Sequence, residues 1–154
     1  MVPTSDSETG LRPDDEPPRR QDAKGLEPDA ACDRVARQIV DSAFAVHQAL
    51  GPGLLESVYE QCLAHELTIR RLLVVRQIPV PVIYRDIRID AGFRMDMVVQ
   101  DLVVVEVKAA ERLLPVHEAQ LLTYIKLSRY RIGLLINFNV PLIKHGIRRI
   151  ISTH

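Results

Sequence analysis

The chain has 154 residues, and its 20 Lys and Arg are matched by 20 Asp and Glu, so the formal charge is zero. The length suits one ordinary domain, and the balance removes the simplest case for a nucleic-acid partner, an overall basic excess. A hydrophobic share of 47% excludes disorder throughout, while 5% aromatic residues and no Trp leave Leu, Ile and Val to build the core. No apolar run approaches the ~18–20 residues of a membrane helix, so no membrane partner is expected. The opening residues lack a basic segment followed by an apolar one. Arg19 and Arg20 precede a polar stretch, so neither a secretory nor a twin-arginine signal is expected. Cys32 and Cys62 cannot build a disulfide framework or a thiolate zinc site between them, and a reduced, cytoplasmic protein is the default reading.

The zero is a sum of two unlike parts. Residues 1–30 hold eight acids and four bases, a net of −4, with five of the ten prolines, which leaves 16 bases and 12 acids, a net of +4, on the rest. With no apolar period to bury, residues 1–30 read as a disordered acidic N-terminal arm, either an inert extension or a flexible arm with a role. The folded domain is expected over 31–154.

From residue 30 the pattern is helical: Val35, Ile39, Ala43, Val46 and Leu50 recur at intervals of three and four. Asp29 or Asp33 could cap the start, and Gly51-Pro52-Gly53 stops the helix. A second helix is predicted over about 54–71, with Leu55, Val58, Cys62 and Leu63 inward. The period then falls to two. Residues 74–84 are rich in Val and Ile, and Pro79 and Pro81 suggest an edge strand. A turn at Arg85-Asp86, a short strand to Asp90 and a break at Ala91-Gly92 follow. Residues 93–99 and 102–109 form an apolar hairpin around Gln100-Asp101. Pro115 opens a third helix to about Ser128, residues 131–137 read as a buried strand, and 142–151 as a strand or a short helix. The order helix, helix, strands, helix, strand predicts an α/β domain around a mixed β-sheet flanked by helices.

Three charges sit oddly in the hairpin. Asp96 lies within FRMDMVV, and Glu106 and Lys108 within LVVVEVKAA. A carboxylate in a Val-rich strand costs several kcal/mol unless it is paired, solvated or bound to a cation. Glu106 and Lys108, two apart, share a strand face. Asp96 joins that face only if the hairpin loop has an odd length or carries a bulge, because a two-residue loop would set Asp96 opposite Val105. Two close carboxylates repel, but a Mg²⁺ between them reverses the sign. Hard oxygen ligands suit Mg²⁺ or Mn²⁺ rather than zinc. Such an ion activates water and polarises a phosphoryl oxygen, with Lys108 placed to orient the water and stabilise developing charge. The implied reaction is phosphodiester hydrolysis. The competing reading is a solvated Glu106–Lys108 pair on a surface hairpin, worth a few tenths of a kcal/mol.

Two other polar residues bear on the choice. Glu56 opens the second helix, where the helix dipole alone would explain it. Gln120 shares a helix face with His117 and Tyr124, which could simply be the solvent face. The histidines show no zinc spacing, and neither a Gly-rich phosphate loop nor a Gly-x-Ser-x-Gly elbow is present.

Gly53-Leu54-Leu55-Glu56-Ser57-Val58-Tyr59 reads Gly-x-x-Glu-x-x-Tyr. With His47 to Gly53, Arg94-Met95-Asp96, Glu106-Val107-Lys108, Pro115 to Leu121 and Leu134 to Phe138 in order, the chain resembles the GxxExxY protein family over about 31–151. That family is similar to the PD-(D/E)XK nuclease superfamily, so the resemblance implies a restriction-endonuclease-like core. It also implies metal binding by Asp96, Glu106 and the Val107 carbonyl, with Lys108 as the lysine of the motif. Glu56 and Gln120 match the polar residues of the preceding and following helices. A Mg²⁺-dependent nuclease acting on DNA is the expected function, with a homodimer suited to cutting two strands. Arg70, Arg71, Arg76 and Arg94, and the group Lys144, Arg148 and Arg149, are candidate phosphate contacts. The alternative is a non-catalytic module that keeps the fold and binds nucleic acid or protein.

Overall fold

The computed structural model describes residues 29–153. The expected acidic arm therefore lies outside the described residues except at its end, where Asp29 and Ala30 belong to the first helix. Helix α1 spans Ala30–Leu50. The Asp29 carboxylate accepts the Cys32 amide at 2.9 Å, satisfying one of the unpaired donors of the first turn. Val35, Ile39, Ala43 and Val46 are buried along one stripe, as their spacing predicts. Gly51, at φ 67°, ends the helix, and its amide reaches the His47 carbonyl at 2.8 Å.

Helix α2 spans Glu56–Ile69. Its inward face agrees with the expected one in part: Leu63 is buried and Cys62 packs against the core, but Tyr59, Ala64 and Leu67 are buried as well, whereas Leu55 precedes the helix and is 73% exposed. The reason lies in Tyr59. Its hydroxyl donates to the Gly51 carbonyl at 2.6 Å and accepts the Leu54 amide at 3.1 Å, and its ring stacks on Phe138 at 4.7 Å. The Gly-Pro-Gly turn is thereby tied to the start of α2, and the helix is rotated so that Tyr59 faces inward.

Seven strands follow: β1 (Val74–Pro79), β2 (Val82–Tyr84), β3 (Ile87–Ile89), β4 (Arg94–Val99), β5 (Val103–Lys108), β6 (Ile132–Asn137) and β7 (Ile147–Ile151), with helix α3 (Pro115–Leu127) between β5 and β6. Five build one mixed sheet in the order β1-β4-β5-β6-β7, with only β5 and β6 parallel, and β2-β3 form a separate ribbon. Pro79 ends a strand on the sheet edge, where a missing donor is tolerated. The last segment combines both expected forms, a short 3₁₀ turn, Ile143–Gly146, running into β7. Cys32 and Cys62 are free thiols. No described helix is long and apolar enough to cross a membrane.

The sheet separates two apolar layers. Met97, Val99, Val103, Val105 and Val107 pack with α1 and α2, whereas Val98, Val104 and Leu135 pack with Leu121 and Ile125 of α3. Gly133 on β6 lets α3 sit close, since a Cβ there would lie 2.8 Å from a Leu121 methyl. Along β4 the alternation breaks once: Met97 belongs to the α1/α2 layer, yet Met95, two residues away, packs against α3. Across from Asp96 in the β1–β4 register, Gln77 has φ 54°, a left-handed conformation inside a strand. Both strands rotate there, and Asp96 stands at the rotation.

Candidate metal and catalytic site

The hairpin joining β4 to β5 decides whether its charges can meet. Val99 pairs with Val103, so the connection is three residues, 100–102. Gln100 and Asp101 both adopt positive φ, the Leu102 amide closes the turn onto the Val99 carbonyl at 3.0 Å, and Tyr130 holds Asp101 by a 2.6 Å hydrogen bond. The odd length carries the register to Met97↔Val105 and sets Asp96 across from Glu106. This meets the condition that a shared carboxylate site imposes on the hairpin.

Beyond that last pair the ladder is replaced by side chains. The Asp96 amide donates to Oε1 of Glu106 at 3.0 Å, and the Val107 amide donates to Oδ2 of Asp96 at 2.7 Å. Each carboxylate thus takes a backbone donor of the opposite strand with one oxygen. Glu106 is only 5% exposed, which rules out the solvated surface pair. Burial pushes its carboxyl up to about 8, helped by the Asp96 charge, against the opposing pull of the Asp96 amide and of Lys108. Asp96 is pushed up to about 6, again first by burial; the Val107 amide opposes this, and the Glu60 and Glu56 carboxylates add to it. The two acids titrate as a pair.

Lys108 closes β5 and its charge steadies both carboxylates. Its backbone is locked: the Lys108 carbonyl accepts the Phe138 amide at 2.9 Å, and Lys108 pairs in register with Asn137. Buried Asn137 then clamps the chain just beyond it, accepting the Ala110 and Asn139 amides at 3.0 and 3.2 Å and donating to the Ala110 carbonyl at 2.9 Å. A Cβ at Gly146 would collide with the Asn137 carbonyl, so glycine is required where the 3₁₀ turn passes this corner.

Helix α2 brings two acids towards Asp96. Glu56, the expected one, is exposed at the helix start. Glu60, which sequence reasoning missed, is buried one turn later and accepts Gln77 at 2.8 Å and Arg76 at 3.3 Å. The i, i+4 spacing from Glu56 was the available signal. From the other face, α3 contributes Gln120 and Tyr124. The Tyr124 hydroxyl is shifted up by burial and by the Glu106 and Asp96 charges, against a hydrogen bond with Gln120.

The candidate basic residues divide. Arg76 is committed to Glu60, and Arg70 pairs with Glu66 at 3.1 Å. Arg148 and Arg149 lie on β7, two strands from β5 and thus about 10 Å across the sheet. They pair with Glu118 at 3.7 Å and Asp33 at 2.6 Å. Lys144 is in the 3₁₀ turn before β7, and Arg71 follows α2 at φ 63°. Arg94 is exposed at the start of β4, two residues before Asp96 in the chain.

The arrangement gathers four carboxylates, Asp96, Glu106, Glu56 and Glu60, around two cations, Lys108 and Arg76. Among the described residues no three His, Cys, Asp or Glu side chains converge closely enough to hold a metal by themselves. Two carboxylates with a backbone carbonyl fit an ion such as Mg²⁺, which keeps several waters and needs few protein ligands.

A mixed sheet between helical layers thus carries paired carboxylates and a lysine where two strands part. A family model described as the PD-(D/E)XK nuclease superfamily matches residues 33–150, and the chain belongs to that superfamily. Its fold is accordingly the restriction-endonuclease-like one. PD-(D/E)XK nucleases generally use divalent metals. No curated protein and no solved structure matches the chain.

Proposed function

We propose that the protein is a Mg²⁺- or Mn²⁺-dependent nuclease that hydrolyses phosphodiester bonds, with DNA as the substrate. The observation that carries this reading is the charge imbalance at the opened hairpin. Even with the raised Glu106 carboxyl protonated, the remaining acids outnumber the two cations and would repel a phosphate; a divalent cation, which favours the ionised Glu106, turns the same cluster into a phosphate site. Asp96 and Glu106, each with one oxygen fixed by an amide, would hold the ion together with the Val107 carbonyl. When bound, the ion would lower the pKa of a water and polarise the phosphoryl oxygen. Lys108, held by the Asn137 corner, would orient the attacking water and balance charge developing on the phosphate. Glu56 and Gln120 flank from α2 and α3, where they would position water and substrate. Arg94 is the best placed phosphate contact, with Lys144, Arg148 and Arg149 as outer contacts on a longer substrate. Membership of the narrower GxxExxY family, a cytoplasmic site of action and a homodimer complete the proposal.

The test pairs a metal titration, followed by thermal melting, with cleavage assays. Mg²⁺ or Mn²⁺ should raise the melting temperature of the wild type progressively with ion concentration and support cleavage. Asp96→Asn should lose both responses. Lys108→Ala should keep the metal-induced rise while cleavage falls roughly 100-fold or more. A wild type that neither melts higher nor cuts any DNA or RNA form with either ion would leave the non-catalytic binding module as the reading.

A further inference from the structure

Gln120 and Tyr124 serve a second space. With Val80, Phe93, Val116 and Ala119 they line an apolar pocket of about 240 Å³ that borders the carboxylate cleft on the α3 side. Phe93 and Tyr124 form its aromatic corner, with ring centres 6.3 Å apart and planes tilted by 52°. Phe93 remains 43% exposed, as a ring awaiting a further contact would be. Hydrolysis of a sugar-phosphate backbone has no use for such a pocket, since everything it handles is ionic or hydroxylic.

The only part of a nucleic acid that matches the pocket is a base, which has apolar faces for an aromatic corner and a polar edge for an amide. The volume falls below the ~300–1,000 Å³ of sites for larger ligands, which suits one heterocycle. Arg94 directly follows Phe93 in the chain and would meet the phosphate attached to a base lodged there. Bases inside a duplex are stacked and paired, so none could enter without leaving the helix.

We infer that this pocket receives one unstacked base next to the phosphate being cut, and that the preferred substrate is single-stranded or locally unpaired DNA. The inference rests on the nuclease reading for the word "cut", whereas base capture is read as a difference between two probes that meet the same carboxylate charge, so the comparison needs no metal. Binding is therefore measured in EDTA, by fluorescence anisotropy, with labelled oligodeoxythymidylate, which cannot self-pair, and with a G·C-rich duplex.

The wild type should bind the single strand more tightly. Phe93→Ala should weaken that binding roughly ten-fold, the scale of one lost base–aromatic stack, and leave duplex binding unchanged. Ala119→Leu, an exposed position on α3, fills the pocket without touching the core and should have the same effect if Phe93→Ala fails to fold. Equal or tighter binding of the duplex, or pocket variants that leave single-strand binding intact or weaken both probes alike, would overturn the inference. Pocket-dependent binding with no cleavage under Mg²⁺ or Mn²⁺ would instead retain the pocket and defeat the nuclease reading. Cleavage that is indifferent to both variants would do the reverse.

Discussion

Asp96 and Glu106 are held in the fold against their own chemistry. Both carboxyls are raised in the folded protein, to about 6 and about 8, from the ~4 of an unfolded chain. Between those limits the native state binds more protons than the unfolded one, so stability is greatest near the unfolded value and falls as pH rises through the window. The metal-free protein should accordingly melt several degrees lower at pH 8 than at pH 5, and Mg²⁺ should recover part of the loss at pH 8. Glu106→Gln removes the charge while keeping the shape and one acceptor. It should therefore raise the metal-free melting temperature at pH 8 by a few degrees, leave it nearly unchanged at pH 5, and abolish cleavage. Calorimetric scans at the two pH values check this, and an unaltered difference between them would refute it. These two acids and Lys108 were legible in the sequence because a charge inside a Val-rich strand demands a reason. Glu60 was not, because a glutamate on a helix is ordinary until the tertiary structure buries it.

At the scale of elements, the register of one hairpin and the rotation of one helix assemble the site. The hairpin was legible only as a condition: turn residues at Gln100-Asp101 are visible in the sequence, but whether two or three residues make the connection depends on Leu102 leaving the ladder. Helix α2 was located correctly and its inward face only in part: Leu63 and Cys62 were expected, but Tyr59 was missed because Leu55 and Val58 look more apolar. What decides is the pair of hydrogen bonds at the Tyr59 hydroxyl, one donated to the Gly51 carbonyl and one accepted from the Leu54 amide, a contact that periodicity does not contain. Tyr59→Phe keeps the stack on Phe138 and loses both bonds. It should cost about 1–2 kcal/mol, seen as several degrees in the melting temperature, and lower cleavage by loosening the start of α2 where Glu56 stands. Parallel melting and cleavage assays check this. Unchanged stability would mean that the turn holds itself.

Over the whole molecule, the order of strands determines which charges can act together. Residues 31–154 carry a basic surplus, but Arg148 and Arg149 are held in ion pairs along the far edge of the sheet. The Arg149–Asp33 bridge is partly exposed, and such pairs contribute ~0–1 kcal/mol. Arg149→Ala should therefore change stability little and cleavage of a short substrate by less than about two-fold. Arg94→Ala should weaken substrate binding and flatten its dependence on salt by about one phosphate contact. Titrations at several salt concentrations distinguish them, and equal losses would show that the β7 edge joins the binding surface. The layered α/β architecture followed from the alternation of periods along the chain. The neighbourhoods did not, since nothing local says that β1 pairs with β4 or that β7 lies beyond β6.

The break in alternation at Asp96 has a bearing on which mutations the protein tolerates. One strand passes from the layer under α1 and α2 to the layer under α3 within two residues, and the metal-binding aspartate of the proposal occupies the crossing. Repacking in either layer, around Met97 on one side or Met95 on the other, pulls on the same backbone. Substitutions remote from the cleft, and mild enough to leave the melting temperature nearly intact, are then expected to impair cleavage first. A random-mutagenesis screen would map the inactive but folded variants to both layers and not to one alone.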